Sequence, residues 1–161
     1  MAVEPSAAPK PPPVILLPPP VLAIILAALG WAVALWLGLP MVSWLALWPL
    51  GVLLIVAGLA LAIWGVATFR IAGTQLAPHA ATHRALVVEG PFRYSRNPIY
   101  LGLLLILVGL PLTAGNALQL LAPIIFFFAI DRLYIPYEES TMARQFGAEY
   151  EAYRQRVRRW L

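Results

Sequence analysis

Two groups of side chains in this sequence carry complementary chemistry. The first is the run Gly90-Pro91-Phe92-Arg93-Tyr94-Ser95-Arg96-Asn97-Pro98-Ile99-Tyr100-Leu101-Gly102, where fixed cations, aromatic rings and a side-chain amide crowd together. Arg93 and Arg96 can each hold a carboxylate or phosphate, and Phe92, Tyr94 and Tyr100 offer ring faces. The second is the acidic pair Glu138-Glu139, which can hold an ammonium or take a proton from an acceptor that must lose one. Asn97-Pro98 reads as a helix start, with Asn97 capping and Pro98 at the first helical position.

The elements that must position these groups are apolar. The chain is 61% hydrophobic and only 11% charged, with no charged residue between Lys10 and Arg70 or between Arg96 and Asp131. One Arg, Lys or Asp at mid-bilayer costs roughly 2.5 to 3.5 kcal/mol on insertion scales, so both uncharged blocks read as the bilayer part. The expected fold is an all-α integral membrane protein with about four transmembrane helices and polar C-terminal helices. The absence of cysteine excludes a disulfide framework, a thiolate zinc site and a cysteine nucleophile. A net charge of +4 is too weak to argue for nucleic acid and suits anionic lipid headgroups better. His79 and His83 lack acidic or cysteine partners at ligand spacing, so they read as loop residues and no metal is expected.

Residues 1–13, rich in proline and alanine, read as a flexible tail. Residues 14–70 hold helices 1 and 2, expected at about 21–37 and 47–69, with a turn marked by Gly38-Leu39-Pro40 and neighbouring tryptophans. Residues 71–161 hold both chemical groups. There helix 3, about 98–110, and helix 4, about 117–135, are expected to form a tight hairpin turning between Pro111 and Asn116. Gly51, Gly58 and Gly65 share one face of helix 2, while Gly102 and Gly109 mark a seam on helix 3. Helix 3 would be only ~20 Å long, which places its start, with Arg96, Asn97 and Tyr100, below the headgroups. After Pro136 the chain becomes polar, with helices expected at 137–146 and 148–160 and a packing stripe of Tyr150, Tyr153, Val157 and Trp160. The arginines fall in the loop between helices 2 and 3 and after helix 4, so the positive-inside rule puts both segments in the cytoplasm.

The run from Ala85 to Gly102, followed by Glu138-Glu139 and by Phe146-Gly147-Ala148-Glu149-Tyr150-Glu151-Ala152-Tyr153, resembles the isoprenylcysteine carboxyl methyltransferase family. It is especially similar to that family's short prokaryotic members, and more distantly to phospholipid methyltransferases. The resemblance covers about 73–161, the catalytic half. It implies a membrane enzyme using S-adenosylmethionine in a cytoplasm-facing pocket closed by the carboxy-terminal segment, with a lipid-linked acceptor arriving from the bilayer. It further implies cofactor contacts from Arg84, Ala85, Leu86 and Val87, from Phe92, from Asn97, Pro98 and Tyr100, and from Glu138. Two departures stand out. The family's frequent Arg-His-Pro is Arg96-Asn97-Pro98 here, which removes any role for an ionisable imidazole. Tyr134 stands where the eukaryotic enzymes have a substrate-binding arginine, and Arg132 is the nearest replacement.

The residue chemistry is compatible with that role. S-adenosylmethionine presents a carboxylate, an ammonium, an adenine face and a sulfonium, and Arg96, Asn97, Glu138, Phe92 and Tyr100 can meet those needs. An acceptor carboxylate is already nucleophilic, whereas an ammonium acceptor would call on Glu139 or Glu138 as base. The expected activity is methyl transfer to a lipid-like or prenylated acceptor, with carboxylate O-methylation favoured, and Arg132 and Glu139 are the catalytic candidates. Phospholipid amine N-methylation and a noncatalytic lipid-binding scaffold of the same fold are the alternatives.

Overall fold

The computed structural model describes residues 17–72 and 85–161. The amino-terminal tail, the loop histidines and Arg84 lie outside these residues. Helix α1, Pro19–Trp36, starts on prolines whose fixed φ suits a first turn, and the chain leaves it through Gly38 at φ +61°. A 3-10 turn, Ser43–Leu45, leads into α2, Trp48–Ile71, which has Pro49 in its first turn and Arg70 in its last. After a second 3-10 turn, Gly90–Arg93, comes α3, Pro98–Ala114.

Helix α3 runs past the expected end near residue 110. Pro111 lies inside it, fully buried, and the helix stops only at Gly115, whose φ of +67° is the left-handed C-cap conformation that glycine adopts freely. The Pro111 carbonyl accepts from the N–H groups of Gly115 (2.8 Å) and Asn116 (3.3 Å), so the proline anchors the turn instead of opening it. Asn116 then caps a short 3-10 turn, Ala117–Leu120, accepting from the Gln119 N–H at 3.4 Å.

The next rod also differs from expectation. Helix α4, Leu121–Ala129, continues through a π turn, Ile130–Tyr134, into α5, Ile135–Phe146, with no break at Pro136. Proline brings no N–H and crowds the preceding turn, and the backbone accommodates it by widening: the Ile135 N–H donates to the Ile130 carbonyl five residues back. Gly147, at φ +50°, ends α5 and starts α6, Ala148–Arg156. This last helix stops short of the expected residue 160, because the chain turns extended at Val157 (φ −120°, ψ 129°) and its carbonyls bond elsewhere.

The glycine seams of helices 2 and 3 are the two halves of one antiparallel interface. A Cβ on Gly58 would lie 2.5 Å from the Gly102 carbonyl oxygen, and one on Gly102 would lie 2.6 Å from that of Gly58. Gly51 and Gly109 repeat the pattern at 2.7 and 2.6 Å. The backbones therefore touch, with van der Waals contact replacing the hydrophobic drive that lipid cannot supply. Helix α3 runs along α2 over most of its length and meets α4 and the 3-10 turn before it over a shorter stretch. A separate buried cluster, Ala23, Leu107, Ala122, Phe126, Ile130, Tyr134 and Ile135, joins α1 and α3 to the long rod. Buried Gln119 ties the same region by donating to the Ala27 carbonyl at 2.8 Å.

Outward faces are apolar, with Ile24, Leu29, Leu53, Ile63, Ile124 and Phe128 exposed. Among the described residues three helices are long and apolar enough to cross a bilayer, namely Pro19–Trp36, Trp48–Ile71 and the rod Ala117–Phe146, whereas Pro98–Ala114 is shorter. The protein is an all-helical membrane protein among its described residues.

Candidate active site

The loop entering α3 lies against the end of α2. Gly90 sits at φ +58° where a Cβ would come 2.8 Å from the Thr68 hydroxyl, and the Phe92 ring meets Phe69 edge to face at 4.9 Å. The buried Tyr153 hydroxyl of α6 donates to the Phe92 carbonyl at 2.8 Å, fixing the loop from the other side.

The carboxy-terminal residues return across this loop. The Arg96 N–H donates to the Arg158 carbonyl at 3.0 Å, while the Ser95 hydroxyl (3.3 Å) and the Asn97 side-chain amide (2.9 Å) both donate to the Arg159 carbonyl. Asn97 holds the expected capping position without making the capping bond. Its amide has turned onto the tail, and its own N–H is satisfied by the Ser95 hydroxyl oxygen at 3.1 Å.

Arg96 is the hub. Its Nη1 donates to the carbonyls of Val157 (2.7 Å) and Arg154 (3.2 Å), and its Nη2 donates to Glu139 Oε1 at 2.6 Å. Its Nε–H is buried and has no partner among the described residues, and the side chain is 11% exposed. Such an orphaned donor costs about 1 to 3 kcal/mol unless something accepts from it. Glu139 also receives Arg159, through Nε to Oε1 at 3.2 Å and Nη2 to Oε2 at 2.8 Å, so both of its oxygens are engaged. Glu138, one residue earlier, accepts a hydrogen bond from the Tyr100 hydroxyl. Behind it the Tyr134 hydroxyl donates to the Leu17 carbonyl at 2.8 Å.

A cleft opens among these elements. Of the candidates read from the sequence, Ala85, Leu86, Val87, Phe92, Arg96, Asn97, Glu138 and Glu139 line it together. Pro98 and Tyr100 do not line it. Pro98 is fully buried at the first turn of α3, and Tyr100 stands behind Glu138 as its donor. Arg132 is also outside the wall, with its side chain 75% exposed and its Nε 3.5 Å from Asp131. Phe69, Met142, Tyr150 and Tyr153 complete the lining. The tyrosines had a signal in the sequence, their shared helical stripe, whose packing face proves to be a cleft wall. Burial lifts the Tyr150 phenol to about 12, so it stays a neutral donor. Phe69 had no signal beyond its place at the end of an apolar helix.

One rim thus carries a guanidinium, an acid oriented by a phenol stands nearby, and aromatic and aliphatic side chains cover the rest. Such a cleft can hold a zwitterion beside a flat ring system. The sequence profile of the family described as phospholipid methyltransferase matches residues 45–149, which include every element of the cleft from α2 to the start of α6. An uncharacterized protein of Haemophilus influenzae is 48% identical over 63 residues, covering 39% of this chain and 100% of that protein. A probable protein-S-isoprenylcysteine O-methyltransferase of Oryza sativa subsp. indica is 34% identical over 79 residues, 49% of this chain and 41% of the rice protein. Protein-S-isoprenylcysteine O-methyltransferase B of Arabidopsis thaliana is 36% identical over 77 residues, 47% of this chain and 38% of the plant protein. The chain therefore spans about two fifths of the length of these plant relatives. No solved structure matches. Because the profile match runs through well over half of the chain, this protein belongs to the phospholipid methyltransferase family.

Proposed function

We propose that the protein is a membrane methyltransferase that uses S-adenosylmethionine and methylates a lipid-like or prenylated acceptor, most favourably at a carboxylate oxygen. The observation that carries this reading is the gathering in one cleft of the Arg96 guanidinium and the Glu138 carboxylate. The first matches the carboxylate and the second the ammonium of the donor's amino-acid end. Bound there, S-adenosylmethionine would supply an electrophilic methyl group.

The remaining roles follow from position. Ala85, Leu86, Val87 and Phe92 form the apolar and aromatic wall proposed for the adenine, and Asn97 adds polar capacity beside Arg96. Arg84, next in sequence to that wall, is proposed to join it. Pro98 and Tyr100 act from behind, by fixing the start of α3 and by orienting Glu138. Arg132, exposed on the π turn, is assigned the anionic head of the acceptor. Glu139 holds Arg96 instead of taking a proton, since both of its oxygens are committed to guanidinium groups. That engagement favours a carboxylate acceptor, which is already nucleophilic, so the work is positioning and desolvation. An amine acceptor on a phospholipid headgroup, a substrate class within the family's description, is the second reading and would need Glu138 as base. The cleft is proposed to face the cytoplasm, because Arg70, Arg93 and the arginines of α6 gather at its end of the helices.

The test uses protein in lipid vesicles with methyl-labelled S-adenosylmethionine, offered either a prenyl thioether carboxylic acid or phosphatidylethanolamine. Label in a base-labile methyl ester supports the first reading, and label in a base-stable amine supports the second. No label in any lipid, together with no calorimetric binding of S-adenosylmethionine, would overturn both.

A further inference from the structure

We propose that Arg159 is a positioning residue that fixes the aim of Arg96 through Glu139. The inference rests on the methyl-donor reading above. Arg159 does not line the cleft. Its guanidinium instead spans two carboxylates on different elements: Nη1 donates to Asp131 on the π turn at 3.2 Å, while Nε and Nη2 donate to Glu139 on α5 at 3.2 and 2.8 Å. Glu139 in turn accepts from Arg96 Nη2 at 2.6 Å. Arg96, Glu139, Arg159 and Asp131 form a chain of alternating cations and acids, with the exposed Arg132 Nε 3.5 Å from Asp131 at its outer end, and at the inner end both Nη atoms of Arg96 are engaged.

The backbone of Arg159 reinforces the same point. Its carbonyl accepts from both Ser95 and Asn97, the residues flanking Arg96. The tail has a separate anchor in Trp160, whose indole N–H donates to Asp131 at 3.0 Å and whose ring packs on Phe127 at 5.1 Å. The guanidinium of Arg159 is thus not needed merely to keep the tail attached. Without it, Glu139 Oε2 loses its donor and the carboxylate is free to swing, taking Arg96 with it. A lysine is a point charge that cannot bridge both acids with the same fork.

The measurements are calorimetric affinity for S-adenosylmethionine and amide hydrogen exchange without ligand, on detergent-purified full-length protein. Arg159→Ala should weaken binding about tenfold or more, and Arg159→Lys should stay several-fold weaker than wild type. In an Arg96→Ala background, Arg159→Ala should add less than a twofold change, because Arg159 acts through Arg96. Full rescue by lysine, or an undiminished effect without Arg96, would mean a simple tether and overturns the proposal. Exchange at the Arg96 amide, which donates to Arg158, should change less than about threefold in Arg159→Ala, because the Trp160 anchor and the backbone bonds keep the tail attached. Exchange there faster by about tenfold or more would mean that the guanidinium tethers the tail, and also overturns it. Should the wild type bind no S-adenosylmethionine, the donor reading fails and the exchange result alone decides the role of Arg159. Where Arg159→Ala does not purify folded, Arg159→Lys carries the same measurements.

Discussion

Tyr100 and Glu138 were legible as individual residues, and the bond between them was not. The sequence placed a phenol two positions beyond Pro98 and an acid two beyond Pro136, yet a contact between residues thirty-eight apart leaves no local pattern. Burial in an apolar surround makes the bond matter, because a carboxylate without donors is costly in low dielectric. Tyr100→Phe keeps the ring and removes the donor, so it should weaken S-adenosylmethionine binding by about 1.5 to 3 kcal/mol, the usual range for a hydrogen bond to a charged group. Calorimetry on the folded variant checks this. Wild-type affinity would mean that Glu138 needs no orienting donor. Asn97 carries the opposite lesson: its type and place before proline predicted a cap, and the capping bond lost to the Arg159 carbonyl, a partner sixty-two residues away.

Helix by helix, the uncharged blocks and glycine spacing foretold most of the elements, while the pairing of seams required three dimensions. Seven-residue spacing puts Gly51 and Gly58 on one face of α2, but only the fold reveals Gly109 and Gly102 opposite them. Gly58→Ala would press a methyl to 2.5 Å from a carbonyl oxygen of the facing backbone, which cannot rotate away. It should cost about 1 to 3 kcal/mol as overpacking. Gly30→Ala, whose Cβ would meet the flexible Gln119 side chain at 3.3 Å, should be far milder. Thermal unfolding in detergent compares the two, and equal effects would deny that backbone contact holds α2 to α3. The π turn was illegible for a different reason: Pro136 signalled a break, and a locally widened helix satisfied the same constraint. Pro136→Ala restores an N–H and lets an α register compete, which should leave thermal stability equal or higher. The same change should weaken S-adenosylmethionine binding by shifting the phase of Glu138 and Glu139, so unchanged affinity would separate the π turn from the site.

Across the whole molecule, the glycine register sets the depth of the cleft. Gly65 faces Ile99, so α2 continues past the first turn of α3 by roughly 9 Å at 1.5 Å per residue, and Phe69 on that overhang joins the cleft wall. Helix α3 is itself about 26 Å long, less than a hydrocarbon core of ~30 Å. The polar end of the site therefore lies beside the apolar overhang of α2. A hydrophobic acceptor is predicted to reach it sideways from the bilayer. Its apolar tail would contribute about 0.8 kcal/mol per buried methylene, and part of that energy would position the reactive head. Shortening the tail should consequently lower turnover as well as affinity. Acceptors differing only in tail length, assayed in vesicles with labelled S-adenosylmethionine, give the comparison. Transfer to a tailless, water-soluble acceptor at the same kcat and KM would show that the overhanging end of α2 guides nothing from the lipid.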